Sequence, residues 1–138
     1  MIMVDTNVVI DLLECDPKWY GWSLQAVSNA RSGHDIVASA VVVAELAYHL
    51  TTRGDAMDVL RAFGISTLDL GAKAALGAGL AHQAYRKAGG KRDKILADFL
   101  IGAHAVDQAD ALITRDPRHY RSYFPALALI SPSKDDHD

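Results

Sequence analysis

The sequence predicts an α/β fold organised on a small, mainly parallel sheet, and two observations predict it. Short apolar runs at 1–4, 36–38, 111–114 and 127–130 alternate with longer segments of helical period. That alternation implies parallel strands joined by right-handed crossovers. Two of the runs also stop abruptly at an acid followed by a helix start, Val4-Asp5-Thr6-Asn7 and Thr114-Arg115-Asp116-Pro117. A carboxylate at a strand end in an open α/β sheet stands where such sheets bind ligands, although Asp is equally a preferred helix N-cap.

Each element has its own signal. Val8, Val9, Leu12 and Leu13 recur at helical spacing, predicting a helix over 6–14. Asp16-Pro17 restarts the chain, an N-cap followed by a residue suited to a first helical turn, so a second helix is expected over 18–31. Its Trp19, Tyr20 and Trp22 are read as core or subunit packing, with base stacking as the alternative. After a loop at 32–35 and the strand at 36–38, Ser39 caps a helix, AVVVAELAYHL, apolar enough to be expected buried on most faces.

Residues 51–55 break that helix, and 56–63 form a short successor. Residues 65–70 alternate apolar and polar like a strand at a sheet edge. An alanine- and glycine-rich helix over 71–88 follows; Ala74, Ala75, Gly77, Ala78 and Gly79 permit close packing in the core or across a dimer, and Gly89-Gly90 ends it. Residues 91–105 form a second mostly apolar helix, with Asp93 as a first-turn acid favoured by the helix dipole.

Four acids then require a reason. Asp5 and Asp116 end strands, whereas Glu45 and Asp98 lie inside apolar helices, where an unpaired charge is costly. A parallel sheet brings its strand ends to one edge, so all four can share one pocket. Clustered carboxylates repel unless protons or cations compensate them, and an oxygen-only set suits a hard ion such as Mg²⁺ or Mn²⁺. Such an ion supports phosphodiester hydrolysis. Thr6, Asn7 and Thr114 stand beside Asp5 and Asp116 as groups able to orient the carboxylates. Lys91, Arg92, Lys94, Arg115 and Arg118 lie beside Asp98 and Asp116, where they can hold a phosphate backbone.

Composition sets the limits. The chain has 138 residues and a net charge of -3, so no global charge points to nucleic acid. Its length and 50% hydrophobic content fit one domain over 1–132 with a polar tail at 133–138. Cys15 is the single cysteine, so no intramolecular disulfide forms, and a reducing, cytoplasmic setting is expected. No apolar stretch is long enough to span a membrane. His49, His82, His104 and His119 show no tight metal-ligand spacing.

The ordered set Val4-Asp5-Thr6-Asn7, Ser39 followed by Ala44-Glu45-Leu46, Asp98 within KILADFLIGAHA, and Leu112-Ile113-Thr114-Arg115-Asp116 resembles the PIN domain, specifically the VapC-like toxin ribonucleases. The resemblance covers essentially the whole chain. It implies a three-layer α/β/α sandwich and a Mg²⁺- or Mn²⁺-dependent endoribonuclease, commonly dimeric and restrained by a VapB-like antitoxin. DNA is then contacted only indirectly, through the antitoxin. Residue by residue, Asp5, Glu45, Asp98 and Asp116 match the catalytic acids, with Asp5, Asp98 and Asp116 as metal ligands and Thr114 in support. The region 51–64 is shorter than the helical clip of some relatives. Two rival readings remain: a PIN-fold interaction or RNA-processing module that is not a toxin, and a phosphoryl-transfer receiver or phosphatase with one nucleophilic Asp.

Overall fold

Five strands, all paired in parallel, run through the centre of the molecule in the order β3-β2-β1-β4-β5. The computed structural model describes residues 1–51, 54–91 and 96–133. Along the chain come β1 (Ile2–Val4), α1 (Thr6–Glu14), α2 (Tyr20–Arg31), β2 (Ile36–Ser39), α3 (Ala40–Leu50) and α4 (Ala56–Ala62). There follow β3 (Ser66–Leu68), α5 (Ala72–Lys87), α6 (Leu96–Gln108), β4 (Ala111–Ile113), α7 (Arg118–Tyr123) and β5 (Leu129–Ile130). The tail expected over 133–138 lies, beyond Ser133, outside the described residues.

Both faces of the sheet centre are covered. Every residue of β1, β2 and β4 is buried, and successive side chains of a strand point to opposite faces. Helices must therefore lie on both sides, which is the three-layer arrangement. β3 is an edge strand, as its alternation predicts, and its residues are correspondingly more exposed. From β1 the chain winds outward through β2 to β3, then returns to β4 on the other side of β1 and continues to β5. The direction of winding thus reverses between β1 and β4, where a crevice opens at the carboxyl ends of the strands.

Several boundaries differ from expectation for local reasons. The second helix begins at Tyr20 rather than residue 18, because the Asp16 carboxylate accepts from the backbone N–H groups of Lys18 (2.9 Å) and Trp19 (2.8 Å) and holds a turn ahead of it. Ser39 caps α3 as predicted, its hydroxyl accepting from the Val41 N–H at 3.2 Å. That helix is not buried on most faces: Val42, Leu46 and Leu50 form its inner stripe, while Ala44, Ala47 and Tyr48 face outward. An apolar sequence here records low polarity rather than complete burial.

Between α5 and α6 a second, smaller core forms from Ala74, Ala78, Phe99 and Ala103. A Cβ on Gly77 would meet that of Ala103 at 3.6 Å, so the small residues of α5 serve close packing inside the chain on this face. Its other side leaves Leu76 and Leu80 exposed. The Gly90 N–H bonds the Tyr85 carbonyl (3.0 Å) and the Gly89 N–H the Arg86 carbonyl (3.1 Å), with Gly89 at φ 97°. This is a glycine-dependent Schellman ending.

Two buried contacts tie the layers around the crevice. His104 is fully buried on α6 with Nδ1 2.8 Å from the Ser39 hydroxyl and Nε2 3.2 Å from Oε1 of Gln108. It links the start of α3 to α6, the two helices that carry Glu45 and Asp98. On α6, Gly102 lies so close to α7 that a Cβ there would stand 2.6 Å from the Phe124 ring and 3.1 Å from that of Tyr120. A side chain at this position would push the Phe124 ring away and crowd that of Tyr120.

Candidate metal centre

β1 and β4 pair in register, Val4 opposite Ile113, and the ladder extends one step further as the Asp5 N–H donates to the Ile113 carbonyl at 2.9 Å. Asp5 and Thr114 are thereby neighbours at the strand ends. Asp5 is only 5% exposed, and three donors converge on its carboxylate. The Thr6 N–H reaches one oxygen at 2.8 Å, while the Thr114 hydroxyl (2.8 Å) and the Tyr120 phenol (3.0 Å) reach the other. Asp5 is therefore both the N-cap of α1 and a side chain of the crevice.

The four predicted acids converge. Asp5, Glu45, Asp98 and Asp116 line one cavity of about 260 Å³, together with Thr6, Asn7, Ile10, Arg115 and Tyr120. They arrive from the end of β1, the middle of α3, the first described turn of α6 and the segment after β4. Glu45 is held by the Thr6 hydroxyl, which donates to it at 2.6 Å.

Burial, opposed by the hydrogen bonds from Thr114, Tyr120 and Thr6, leaves the Asp5 carboxyl pushed up to about 6. Asp98 is pushed up to about 7, by burial first and then by the charges of Asp5, Glu45 and Asp116. Burial also drives the Tyr120 phenol well upward, so it stays a protonated donor to Asp5. Among the described residues no cation pairs with Asp5, Glu45 or Asp98; Arg118 pairs only with Asp116, its Nε 3.2 Å from the carboxylate.

This donor set fits a hard divalent cation. It is all oxygen, its members repel one another, and burial together with that repulsion holds Asp5 and Asp98 above the ordinary carboxylate range. Among the described residues no three acids are gathered tightly enough to enclose an ion by themselves. A Mg²⁺-like ion needs no such cage, since it keeps several waters and takes one or two carboxylates directly.

The remaining predicted residues separate. Asn7 lines the cavity and its side-chain oxygen stands 3.5 Å from the Arg115 N–H. Asp116 does not act as a cap: α7 starts after Pro117 with no side-chain cap, because the Asp116 carboxylate turns to Arg118 and its N–H to the Thr114 hydroxyl (3.1 Å). Arg115 lies at the cavity wall, but its guanidinium is occupied by buried Asp11, at 3.0 Å, and by the Trp19 ring, 5.8 Å away. The Ser23 hydroxyl completes Asp11 at 2.9 Å, and Asp11 is raised by burial. Trp19 is thus a packing residue that also seats an arginine. Arg118 and Lys91 are exposed, while Arg92 and Lys94 lie outside the described residues.

Sequence reasoning missed Tyr120 and Asp11. Tyr120 sits in the polar segment RHYRSY, and Asp11 occupies a helix whose apolar stripe does not demand an acid. The one available signal for Asp11 was an acid on the same helical side as Val8 and Leu12. The four histidines serve structure: His104 as above, His49 paired with Glu14 at 2.6 Å, and His82 and His119 beside the Tyr85 ring.

A five-stranded parallel sheet with four carboxylates at its switch point defines a class, the α/β proteins with an acidic crevice at the strand ends. Residues 2–125 match the PIN domain model, and the chain belongs to that family. No curated protein sequence matches it significantly.

Solved structures share the fold at low identity. VapBC2 from Rickettsia felis bound to a promoter DNA fragment matches with TM-score 0.73 and 22% identity, over 95% of this chain and 98% of the other. DNA-bound VapBC from Salmonella typhimurium matches with 0.70 and 20%, over 94% and 96%. FitAcB from Neisseria gonorrhoeae matches with 0.61 and 23%, over 94% and 96%.

Proposed function

We propose that this protein is a divalent-cation-dependent endoribonuclease and the toxin of a VapBC-type pair. The observation that carries the reading is the meeting of Asp5, Glu45, Asp98 and Asp116, from four separate elements, around one cavity at the switch point. PIN membership supports the nuclease chemistry. The VapBC and FitAcB neighbours support a toxin role and a VapB-like antitoxin partner, through which alone DNA would be met. A homodimer and a cytoplasmic setting complete the reading.

Asp5, Asp98 and Asp116 would hold Mg²⁺ or Mn²⁺. The bound ion supplies positive charge for the phosphodiester and its leaving oxygen and lowers the pKa of water. The chain's own residues do the rest. Thr114 and Tyr120 fix the Asp5 carboxylate by donating to one of its oxygens, so it enters the site already oriented. Asp98, raised to about 7 by burial and then by Asp5, Glu45 and Asp116, would hold the ion as its carboxylate. Glu45, whose carboxylate accepts from the Thr6 hydroxyl, would take a proton from the attacking water.

Arg118 and Lys91, with Arg92 and Lys94, would attract the RNA backbone. Arg115 would add charge at the wall while anchoring the β4 exit to Asp11. The test is cleavage of single-stranded RNA by purified, partner-free protein. Cutting is expected with Mg²⁺ or Mn²⁺ and is abolished by Asp5→Ala; undiminished cutting in excess EDTA would sink the reading.

A further inference from the structure

Beside the acidic cavity lies a second, more open groove of about 420 Å³, lined by Thr6, Ile10, Ala44, Glu45, Tyr48 and His49. Thr6, Ile10 and Glu45 belong to both. The two therefore adjoin at these side chains, within reach of one nucleotide. Its surface is mainly apolar, and His49 on its lining pairs with Glu14 across α3 and α1. Tyr48 is 87% exposed, the most exposed of the large apolar side chains, and has no hydrogen-bond partner among the described residues. It follows Glu45 by three positions on α3, so both side chains lie on one side of that helix.

We propose that this groove is a nucleobase subsite, in which Tyr48 stacks on the base adjoining the scissile phosphate. The inference rests on the ribonuclease reading and adds a specificity-determining residue to it. An open apolar groove with one free aromatic face fits a flat ring, and any base presents such a face, so the contact favours an unpaired nucleotide over a duplex. Ile10 and Ala44 supply the rest of the apolar lining.

The experiment is a two-by-two comparison with Asp5→Asn protein, which prevents turnover, with and without Tyr48→Ala. Binding is measured by fluorescence anisotropy of a labelled single-stranded oligoribonucleotide and of the same strand carrying abasic nucleotides in place of its bases. Tyr48→Ala is expected to weaken binding of the intact strand about tenfold, within the range of a single base–aromatic stack, and Tyr48→Phe to leave it unchanged. The abasic strand is expected to bind both proteins alike.

An equal loss from Tyr48→Ala on intact and abasic strands overturns the subsite, as does no loss on either. So does a change in sedimentation on Tyr48→Ala without change in RNA affinity, which would make the face a protein contact. In each of these cases metal-dependent cleavage by the native chain still upholds the ribonuclease reading. No RNA binding and no cleavage by the native chain overturns both.

Discussion

Replacing Asp98 by Asn should stabilise the metal-free protein, chiefly on the alkaline side. Asp98 is pushed from its usual 3.8 to about 7 in the fold. Between those values the native chain holds a proton that the unfolded chain has released, so stability falls as pH rises through this window. The penalty is absent below 3.8 and complete above about 7. At about 1.4 kcal/mol per tenfold change in proton affinity, it reaches up to about 4 kcal/mol. Solvent screening of a partly exposed carboxylate reduces that to about 2 kcal/mol.

Asn keeps the shape of the neutral acid without the charge. For a domain of this size, about 2 kcal/mol corresponds to a rise in Tm of roughly 8 °C. Thermal melts followed by circular dichroism in EDTA should show this gain at pH 8 and only about a quarter of it at pH 4.5. With saturating Mg²⁺ at pH 8 the order should narrow or reverse, because only the native acidic set gains stability from the ion. An Asn variant no more stable than the native chain at pH 8 in EDTA, or equally favoured at both pH values, would refute the repulsion among these acids.

Two other substitutions probe the supports of the site. Tyr120→Phe removes the phenol 3.0 Å from Asp5 and should cost about 1–2 kcal/mol in urea denaturation. It also removes a contact that lowers the Asp5 proton affinity, so the acidic limb of the cleavage profile should move to higher pH; an unmoved limb would deny Tyr120 that role. Arg115→Ala leaves Asp11 buried without its cation and should cost about 2–3 kcal/mol. Most of that loss should be recovered by adding Asp11→Asn, whereas a full-stability single variant that merely binds RNA less well would make Arg115 a surface contact.

The parts of the site legible in the sequence were those where an acid conflicts with its surroundings. Asp5 and Asp116 terminate apolar runs, and Glu45 and Asp98 interrupt apolar helices. All four line the cavity. What could not be read was pairing across the chain. The register that sets Val4 against Ile113, and so Asp5 beside Thr114, depends on strand order, which alternation alone does not specify. Tyr120 reaches Asp5 from α7, which packs closely on α6 at Gly102, a contact between residues with no local signature. Arg115 looked like a free basic residue because Asp11, its partner, lies 104 positions away. The expected burial of α3 failed for a related reason: a helix flanked by a groove on one side needs only one apolar stripe, so Ala44 and Tyr48 remain at the surface.

The central claim is that four carboxylates from distant segments share one crevice in which Asp5, Asp98 and Asp116 hold a cation. Calorimetric titration of the partner-free protein with Mn²⁺ at pH 7.5 tests it most directly, comparing the native chain with Asp98→Asn and with Asp5→Asn. Saturable binding by the native chain, with release of protons and a strong loss in both variants, is the predicted result. Absence of binding, or equal binding by all three proteins, would contradict it.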